Sequence, residues 1–126
     1  VYIYTPMKTY EDLHAWKYAM DLIAEIYLLT NTFPSDERFG LTSQMRRAAN
    51  SVAANIAEGF GRYTYADKAN KYVIARGECT EVDAFLLIAV RIKYCSVDQI
   101  QNARELSQSS VRLISGLIRS SHKKSL

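Results

Sequence analysis

The chain has 126 residues, of which 48% are apolar and 23% are charged, and its formal net charge is +3. A chain of this length and composition forms one globular domain, which excludes a disordered or collagen-like protein. Only five glycines and two prolines are present, too few for the many tight turns of an all-β sandwich.

Four helices are predicted from the spacing of apolar residues and from capping signals, over residues 10–32, 42–60, 65–94 and 97–121. The first follows Thr9, an N-cap residue with Asp12 at the capping-box position. It is predicted to end before Phe33-Pro34, because a residue that precedes proline resists helical geometry.

Glycines and further caps delimit the other three helices. Gly59 and Gly61 are predicted to end the second helix, since glycine accepts the left-handed conformation of a C-cap. Thr64 precedes the third helix, and Ser96 with Gln99 forms a capping box before the fourth. The connections are short, so sequential helices should be antiparallel neighbours. The predicted fold class is therefore all-α: an antiparallel up-down-up-down four-helix bundle, forming a single domain over residues 1–126.

The cysteine content and the hydropathy pattern predict a cytoplasmic protein. Cys79 and Cys95 are too few for a disulfide framework. On one helix they would lie about 24 Å apart, far beyond bonding distance. No run of 18 apolar residues occurs, so neither a membrane-spanning helix nor a membrane partner is predicted.

The second predicted helix carries a narrow polar stripe beside many small residues. On a helical wheel, the stripe contains Gln44, Arg47, Ser51, Asn55 and Glu58. A helix on the outside of a monomer would carry a broader solvated face. The stripe is therefore predicted to form a mostly buried polar network, which either fixes register inside the bundle or contributes to a ligand or subunit interface. Both interpretations favour a homo-oligomer.

Motifs across residues 10–90 resemble those of a known family. They are Tyr10-x-x-Leu13-x-x-Trp16, Phe33-Pro34-x-x-Glu37, Phe39-Gly40-Leu41-Thr42-x-Gln44-x-Arg46-Arg47-Ala48 and Ser51-x-x-x-Asn55-Ile56-Ala57-Glu58-Gly59-x-Gly61-Arg62. The family is that of the 23S rRNA intervening-sequence proteins, and the resemblance implies a four-helix bundle that assembles as a ring-like homopentamer. A bundle similar in fold, the accessory variability determinant of diversity-generating retroelements, binds a reverse transcriptase and RNA. The resemblance thus implies RNA or DNA as a partner, together with a reverse transcriptase or another protein.

No group of residues supports catalysis, a metal or a cofactor. Glu11-x-x-His14 has the spacing of a di-iron ligand pair, but such sites need a second copy and further carboxylates. His122 is the only other histidine, so the chain has few candidates for the general base of Ser-His or Cys-His catalysis. The chain is predicted not to be an enzyme.

Basic and aromatic residues alternate after the second helix and favour nucleic-acid binding. Residues 46–76 hold six basic and two acidic side chains, and Tyr63 and Tyr65 lie among them. Cations contact phosphates and rings stack on bases. The candidate contacts are Arg46, Arg62, Lys68, Lys71, Lys123 and Lys124. Alternatively, Tyr65 and Tyr72, which are seven residues apart and share a helical face, belong to the core, and Lys68 and Lys71 form a solvated face. The sequence predicts an oligomeric nucleic-acid-binding accessory protein, with a protein-interaction scaffold as the alternative.

Overall fold

Four long α-helices make up most of residues 7–125, the part of the chain that this computed structural model describes. They are α1 (His14–Thr30), α2 (Leu41–Gly61), α3 (Tyr65–Arg91) and α4 (Val97–Ser125). Short 3-10 turns lie at Tyr10–Asp12 and Ser35–Glu37, and residues 7–125 contain no strand. The all-α class predicted from the sequence is therefore confirmed.

Helix α1 begins later than the predicted residue 10, because Leu13 interrupts the helical conformation. The Thr9 hydroxyl accepts a hydrogen bond from the Glu11 backbone N–H at 3.1 Å, and the Thr9 N–H donates to the Asp12 carboxylate at 3.2 Å. This capping box closes only the 3-10 turn. Leu13 is then extended, with φ −73° and ψ 131°, and its side chain is buried. The turn thus places Leu13 in the core, and α1 starts at His14.

The end of α3 also differs from the prediction, at Arg91 rather than residue 94. Lys93 adopts a left-handed φ of 68°. Its backbone N–H donates to the Val90 carbonyl, and the Tyr94 N–H donates to the Ala89 carbonyl. These two bonds are those of a Schellman motif, in which glycine is the usual left-handed residue. Because a lysine occupies the position where glycine is usual, this helix end could not be recognised from the sequence. Helix α4 starts after the Ser96 capping box and continues to Ser125, beyond the predicted residue 121.

The glycines at the end of α2 have a different role from the predicted C-cap. Neither has a positive φ, and the residue after the helix, Arg62, is extended. Gly59 is buried against α3. A Cβ atom there would lie 2.7 Å from Cε1 of Tyr72. Gly59 therefore allows close approach of α2 and α3 and does not supply the left-handed conformation that was predicted.

The helices contact one another in a cycle, α1 with α2, α2 with α3, α3 with α4, and α4 with α1, which fits a four-helix bundle. The core between them has two clusters of apolar side chains. One is built around Leu22, Ile26, Met45, Val82, Leu86 and Ile100, and the other around Val52, Ile56, Tyr72, Cys79, Ile114 and Ile118. No helix within residues 7–125 is both long enough and apolar enough to cross a membrane.

Candidate nucleic-acid interface

Three helix ends meet at one basic surface: the end of α2, the start of α3 and the end of α4. Lys68 of α3 donates a hydrogen bond from Nζ to the backbone carbonyl of Phe60 in α2, and its Nζ lies 5.5 Å from the centroid of the Phe60 ring. Partial burial, and then the charge of Lys124 in α4, lower the pKa of Lys68. The positive charge of Lys124 thus disfavours the protonated form of Lys68.

Aromatic rings accompany these cations. Nζ of Lys124 lies 5.8 Å from the centroid of the Tyr65 ring. Tyr63, in the connection between α2 and α3, is 98% exposed. The connection is held by Thr64, whose hydroxyl accepts the Asp67 N–H at 3.1 Å and so caps α3. The alternative interpretation, in which Tyr65 and Tyr72 belong to the core, is wrong for Tyr65, whose side chain is exposed, and right for Tyr72, which is buried. We call Arg62, Lys68, Lys71, Lys124, Tyr63 and Tyr65 the basic end surface. Lys123, which precedes Lys124, is exposed at the same end of α4.

One carboxylate partly neutralises this surface. Glu58 accepts from Arg62 at 3.0 Å and pairs with Lys71 at 3.4 Å. These partners, Lys71 first and then Arg62, lower the pKa of Glu58. Both pairs are at least partly exposed to solvent, so they stabilise the fold little. Within residues 7–125, Lys68 and Lys124 have no carboxylate within ion-pair distance, which leaves their charges available to an anion.

Arg46 does not belong to this surface, although the sequence analysis grouped it there. Its guanidinium donates to the Thr30 hydroxyl and to the Asn31 side-chain oxygen, both at 2.9 Å. It also lies 4.6 Å from the centroid of the Tyr27 ring. At 1.5 Å per helical residue, Arg46 is about 24 Å from Arg62 along α2. The two residues are therefore at opposite ends of that helix.

Within one subunit the polar stripe of α2 is not a buried network, so the predicted burial would require a subunit interface. Gln44, Arg47 and Glu58 are exposed in the subunit, and Ser51 and Asn55 are half-buried. The Asn55 amide nitrogen donates to the Ser51 backbone carbonyl at 2.8 Å and to its hydroxyl at 3.0 Å. The wheel placed these residues on one face correctly, but α3 packs against the adjacent apolar positions and leaves the stripe at the edge.

Three residues of the stripe, Gln44, Arg47 and Ser51, line a groove of about 420 Å³ between α2 and α3. Its walls are Gln44, Arg47, Ala48 and Ser51 of α2, with Glu78 and Glu81 of α3. Partial burial, and then the charge and hydrogen bond of Glu81, raise the pKa of Glu78, whereas Arg47 acts in the opposite direction. The two glutamates were not predicted as part of the site. Their spacing of three residues on one helix was the available signal.

Several large apolar side chains are exposed along the outward face of α3, and this apolar face was not predicted. Val73, Ile74, Leu87 and Ile88 are each between 40% and 47% exposed. Gly77 and Ala84, both exposed, lie between them along the helix. An amphipathic surface helix carries mainly polar residues on its outer side, whereas the outer side of α3 mixes these apolar residues with polar ones such as Thr80 and Glu81. The signal in the sequence was the lack of a continuous polar face.

The described residues offer no assembled catalytic or metal centre. Glu11 lies in the 3-10 turn and His14 begins α1, so the pair does not share one helix. No three histidine, cysteine or acidic side chains gather within residues 7–125. Burial, and then the charge of Glu78, raise the pKa of Cys79 to about 12. Its thiol therefore stays protonated and is a weak nucleophile.

Comparison with known proteins yields one family and a solved structure. The family model described as 23S rRNA-intervening sequence protein matches residues 11–116. A crystal structure of a protein with unknown function, from the S23 ribosomal protein family of Bacteroides thetaiotaomicron, is similar, with a TM-score of 0.76 and 24% sequence identity. The similarity covers 82% of this chain and 97% of that chain, and it supports the fold alone. No curated protein matches the chain.

Proposed function

Because this chain belongs to the 23S rRNA-intervening sequence protein family, we propose that it is a non-enzymatic accessory protein that binds RNA or DNA. The contact is made by the basic end surface. The observation that carries the proposal is the meeting of three helix ends, where Lys68 of α3 bonds to the Phe60 carbonyl of α2 and Lys124 of α4 lies over the Tyr65 ring. Tyr63 and Tyr65 are exposed there. Like charges brought together without a carboxylate partner favour a polyanion.

The chemistry of this surface suits a single strand. Ammonium groups neutralise phosphates and release counterions, and this contact does not depend on base sequence. Tyrosine rings stack on any base, because every base has a π-face. The proposed binding is therefore weak, sensitive to salt and without strong sequence preference. Arg62 and Lys71 join the contact when a phosphate competes with Glu58 for them.

We also propose that the subunit is a single up-down-up-down domain that assembles into a homo-oligomer in the cytoplasm. Three contacts support the antiparallel order: Arg46 with Thr30, Lys71 with Glu58, and Arg104 with Asp83. The exposed apolar face of α3 supports self-association, because isolated monomers rarely expose such surface. The pentameric number rests on the family resemblance. A ring repeats the basic end surface, so weak contacts to one long strand reinforce each other.

The apolar face of α3 also favours a second candidate function, a scaffold that binds a protein such as a reverse transcriptase and no nucleic acid. Exposed valine, isoleucine and leucine side chains suit a protein partner better than a phosphate backbone. The two candidates differ in one measurable property, which is affinity for an oligonucleotide at low salt.

The test is a gel shift with a 30-nucleotide RNA and the matching single-stranded DNA at two salt concentrations. Wild-type protein should shift both at micromolar concentration, and its affinity should fall about 10-fold or more between low and physiological salt. Lys68→Ala/Lys124→Ala should weaken binding to all sequences and reduce the salt dependence. The matched control is Lys17→Ala/Arg112→Ala, which removes two exposed charges elsewhere. No shift at low salt would favour the scaffold.

A further inference from the structure

A second basic and aromatic cluster lies at the other end of α2. A cavity of about 420 Å³ opens beside the first turns of that helix, lined by Arg38, Phe39, Thr42, Ser43, Arg46, Arg47 and Asn50. Three of the lining residues are arginines and none is acidic. The groove between α2 and α3 differs, since there Arg47 faces Glu78 and Glu81. We call Arg38, Phe39, Arg46 and Arg47 the arginine cluster.

Phe39 is the most unusual member of the cluster, because its side chain is 87% exposed. The Arg38 guanidinium carbon lies 5.1 Å from the centroid of its ring. An apolar ring that the core does not bury contributes little to the stability of the subunit. A ring with a cation at one face and solvent around it is arranged as a stacking platform.

The arginines differ in how firmly they are held. Arg46 is fixed by hydrogen bonds to Thr30 and Asn31 and by the Tyr27 ring. Arg38 and Arg47 have no carboxylate within ion-pair distance in the described part of the chain. Asp36 lines a neighbouring cavity with Arg38 and Arg46, but does not line this one. The cavity therefore presents positive charge from the fixed Arg46 and from Arg38 and Arg47, which form no ion pair within the described residues, although the charge of Arg47 also acts on Glu78 in the neighbouring groove.

We infer that the arginine cluster is a second contact for single-stranded nucleic acid, with a base stacked on Phe39 and phosphates bound by Arg38 and Arg47. Charge complementarity selects an anion, and the exposed ring selects an anion that carries planar groups. This inference rests on the proposed function in one respect, since the same strand occupies the basic end surface. The two surfaces are about 24 Å apart along α2, so a single strand must be several nucleotides long to contact both.

The geometry sets a length requirement for the ligand. A strand of four nucleotides reaches one surface, whereas a strand of twenty reaches both. Linking two contacts through one strand raises their combined affinity far above either alone. Oligo(U) of 20 nucleotides should therefore bind much more tightly than oligo(U) of four nucleotides. The difference should exceed the statistical advantage of the longer strand, which offers more positions at which the protein can bind.

The experiment measures fluorescence anisotropy of labelled oligo(U) of both lengths at low salt. Phe39→Ala should weaken binding of the 20-nucleotide strand by roughly 5- to 100-fold, the range for loss of one base stack. Phe39→Trp should retain binding, since indole is also a stacking surface. Leu28→Ala is the matched control, because Leu28 is an exposed apolar residue outside the cluster. Thermal melts and a sizing column verify that every variant has the wild-type fold and assembly.

The outcomes separate this inference from the proposed function. If Phe39→Ala binds like Leu28→Ala while Lys68→Ala/Lys124→Ala loses affinity, the basic end surface stands and the second contact is overturned. If Phe39→Ala loses affinity and the lysine variant does not, the arginine cluster stands alone. A Phe39→Ala variant that dissociates on the column identifies Phe39 as a subunit contact and also overturns the inference. Absence of wild-type binding to either strand removes both.

Discussion

Gly59 of α2 and Tyr72 of α3 approach so closely that the two helices meet as backbone against ring. A Cβ at position 59 would lie 2.7 Å from Cε1 and 2.9 Å from Cδ1 of Tyr72. The tyrosine is only 4% exposed, so the ring has little room to move. The Tyr72 ring is near the basic end surface, because Lys71 is the residue before it. The Cβ of Lys71 is the third close neighbour of position 59. The packing of α2 on α3 thus fixes where those lysines lie.

Gly59→Ala is expected to destabilise the protein. Alanine favours the helix by about 1 kcal/mol relative to glycine, but overpacking a close contact costs about 1–3 kcal/mol. The net loss should be about 1 kcal/mol, or a fall of roughly 3–5 °C in Tm for a domain of this size. Circular dichroism melts at a fixed protein concentration measure it.

Gly61→Ala is the matched control, two residues away on the same helix. A Cβ there would meet no atom within 4 Å, and the residue is exposed. This variant should be more stable than the wild type by up to about 1 kcal/mol. Equal melting temperatures for the two variants would contradict the proposed role of Gly59.

Two buried serines of α4 should respond in opposite directions to replacement by alanine. The Ser107 hydroxyl donates to the Cys79 carbonyl of α3 at 2.8 Å, so Ser107→Ala should cost about 0.5–1.5 kcal/mol. The Ser110 hydroxyl is fully buried and has no hydrogen-bond partner within residues 7–125. Ser110→Ala removes the desolvation cost of that hydroxyl and should stabilise the protein. Urea titrations of both variants test the pair, and a destabilised Ser110→Ala would contradict the prediction.

The outward face of α3 is expected to hold the subunits together. Multi-angle light scattering on a sizing column should give a wild-type mass several times the 14.3 kDa of one chain, and five times for a pentamer. Ile74→Glu/Ile88→Glu places charges in this face and should lower the mass, because burying an unpaired carboxylate is costly.

The control for that experiment is Leu28→Glu, which adds a charge at an exposed apolar residue of α1. It should leave the mass unchanged. A wild-type mass of one subunit at micromolar concentration would refute the oligomer, and an unchanged mass in the double variant would place the interface elsewhere.

Glu78 should make stability depend on pH in a defined direction. Burial and Glu81 raise the pKa of Glu78 in the folded chain above its ordinary value of 4.5, so the folded state binds the proton more tightly than the unfolded state. Its ionisation is therefore unfavourable to folding as pH rises through this range, and the cost is absent well below pH 4.5. Glu78→Gln should raise Tm at pH 7 and leave it nearly unchanged at pH 3.5.

Glu105→Gln, at an exposed position of α4, serves as the control for Glu78→Gln. It should have little effect on Tm at either pH. An equal gain from both substitutions would trace the effect to net charge and not to the pair that Glu78 forms with Glu81.

The sequence predicted what depends on local chemistry. The Ser96 capping box, for example, needs only a hydroxyl and an amide three residues apart, and both of its hydrogen bonds are present. The left-handed Lys93 was missed because its conformation comes from the Schellman bonds around it, and lysine gives no conformational signal of its own.

The prediction of the candidate site from the sequence was limited in the same way, because it lacked the packing of neighbouring helices. Helical spacing placed Lys68 and Lys71 one turn apart, but it did not bring Lys124 to them, since that contact depends on how α4 packs against α3. The wheel likewise grouped Arg47 with Glu58 on one face. Whether a face is covered depends on a neighbouring helix, which the wheel does not contain. Arg46 was a different error, because its distance from Arg62 along α2 could be counted in the sequence.

The cyclic order of helix contacts has a consequence for how the chain folds. Three of the four contacting pairs join helices that follow each other directly, and only α1 with α4 joins distant parts of the described chain. Contacts between adjacent helices close short loops, which costs less chain entropy and speeds folding. Two helical hairpins, α1 with α2 and α3 with α4, can therefore form early and independently. The slow step is then their docking, in which Gly59 must reach the Tyr72 ring, so Gly59→Ala should slow folding as well as lower stability if that contact forms in the transition state.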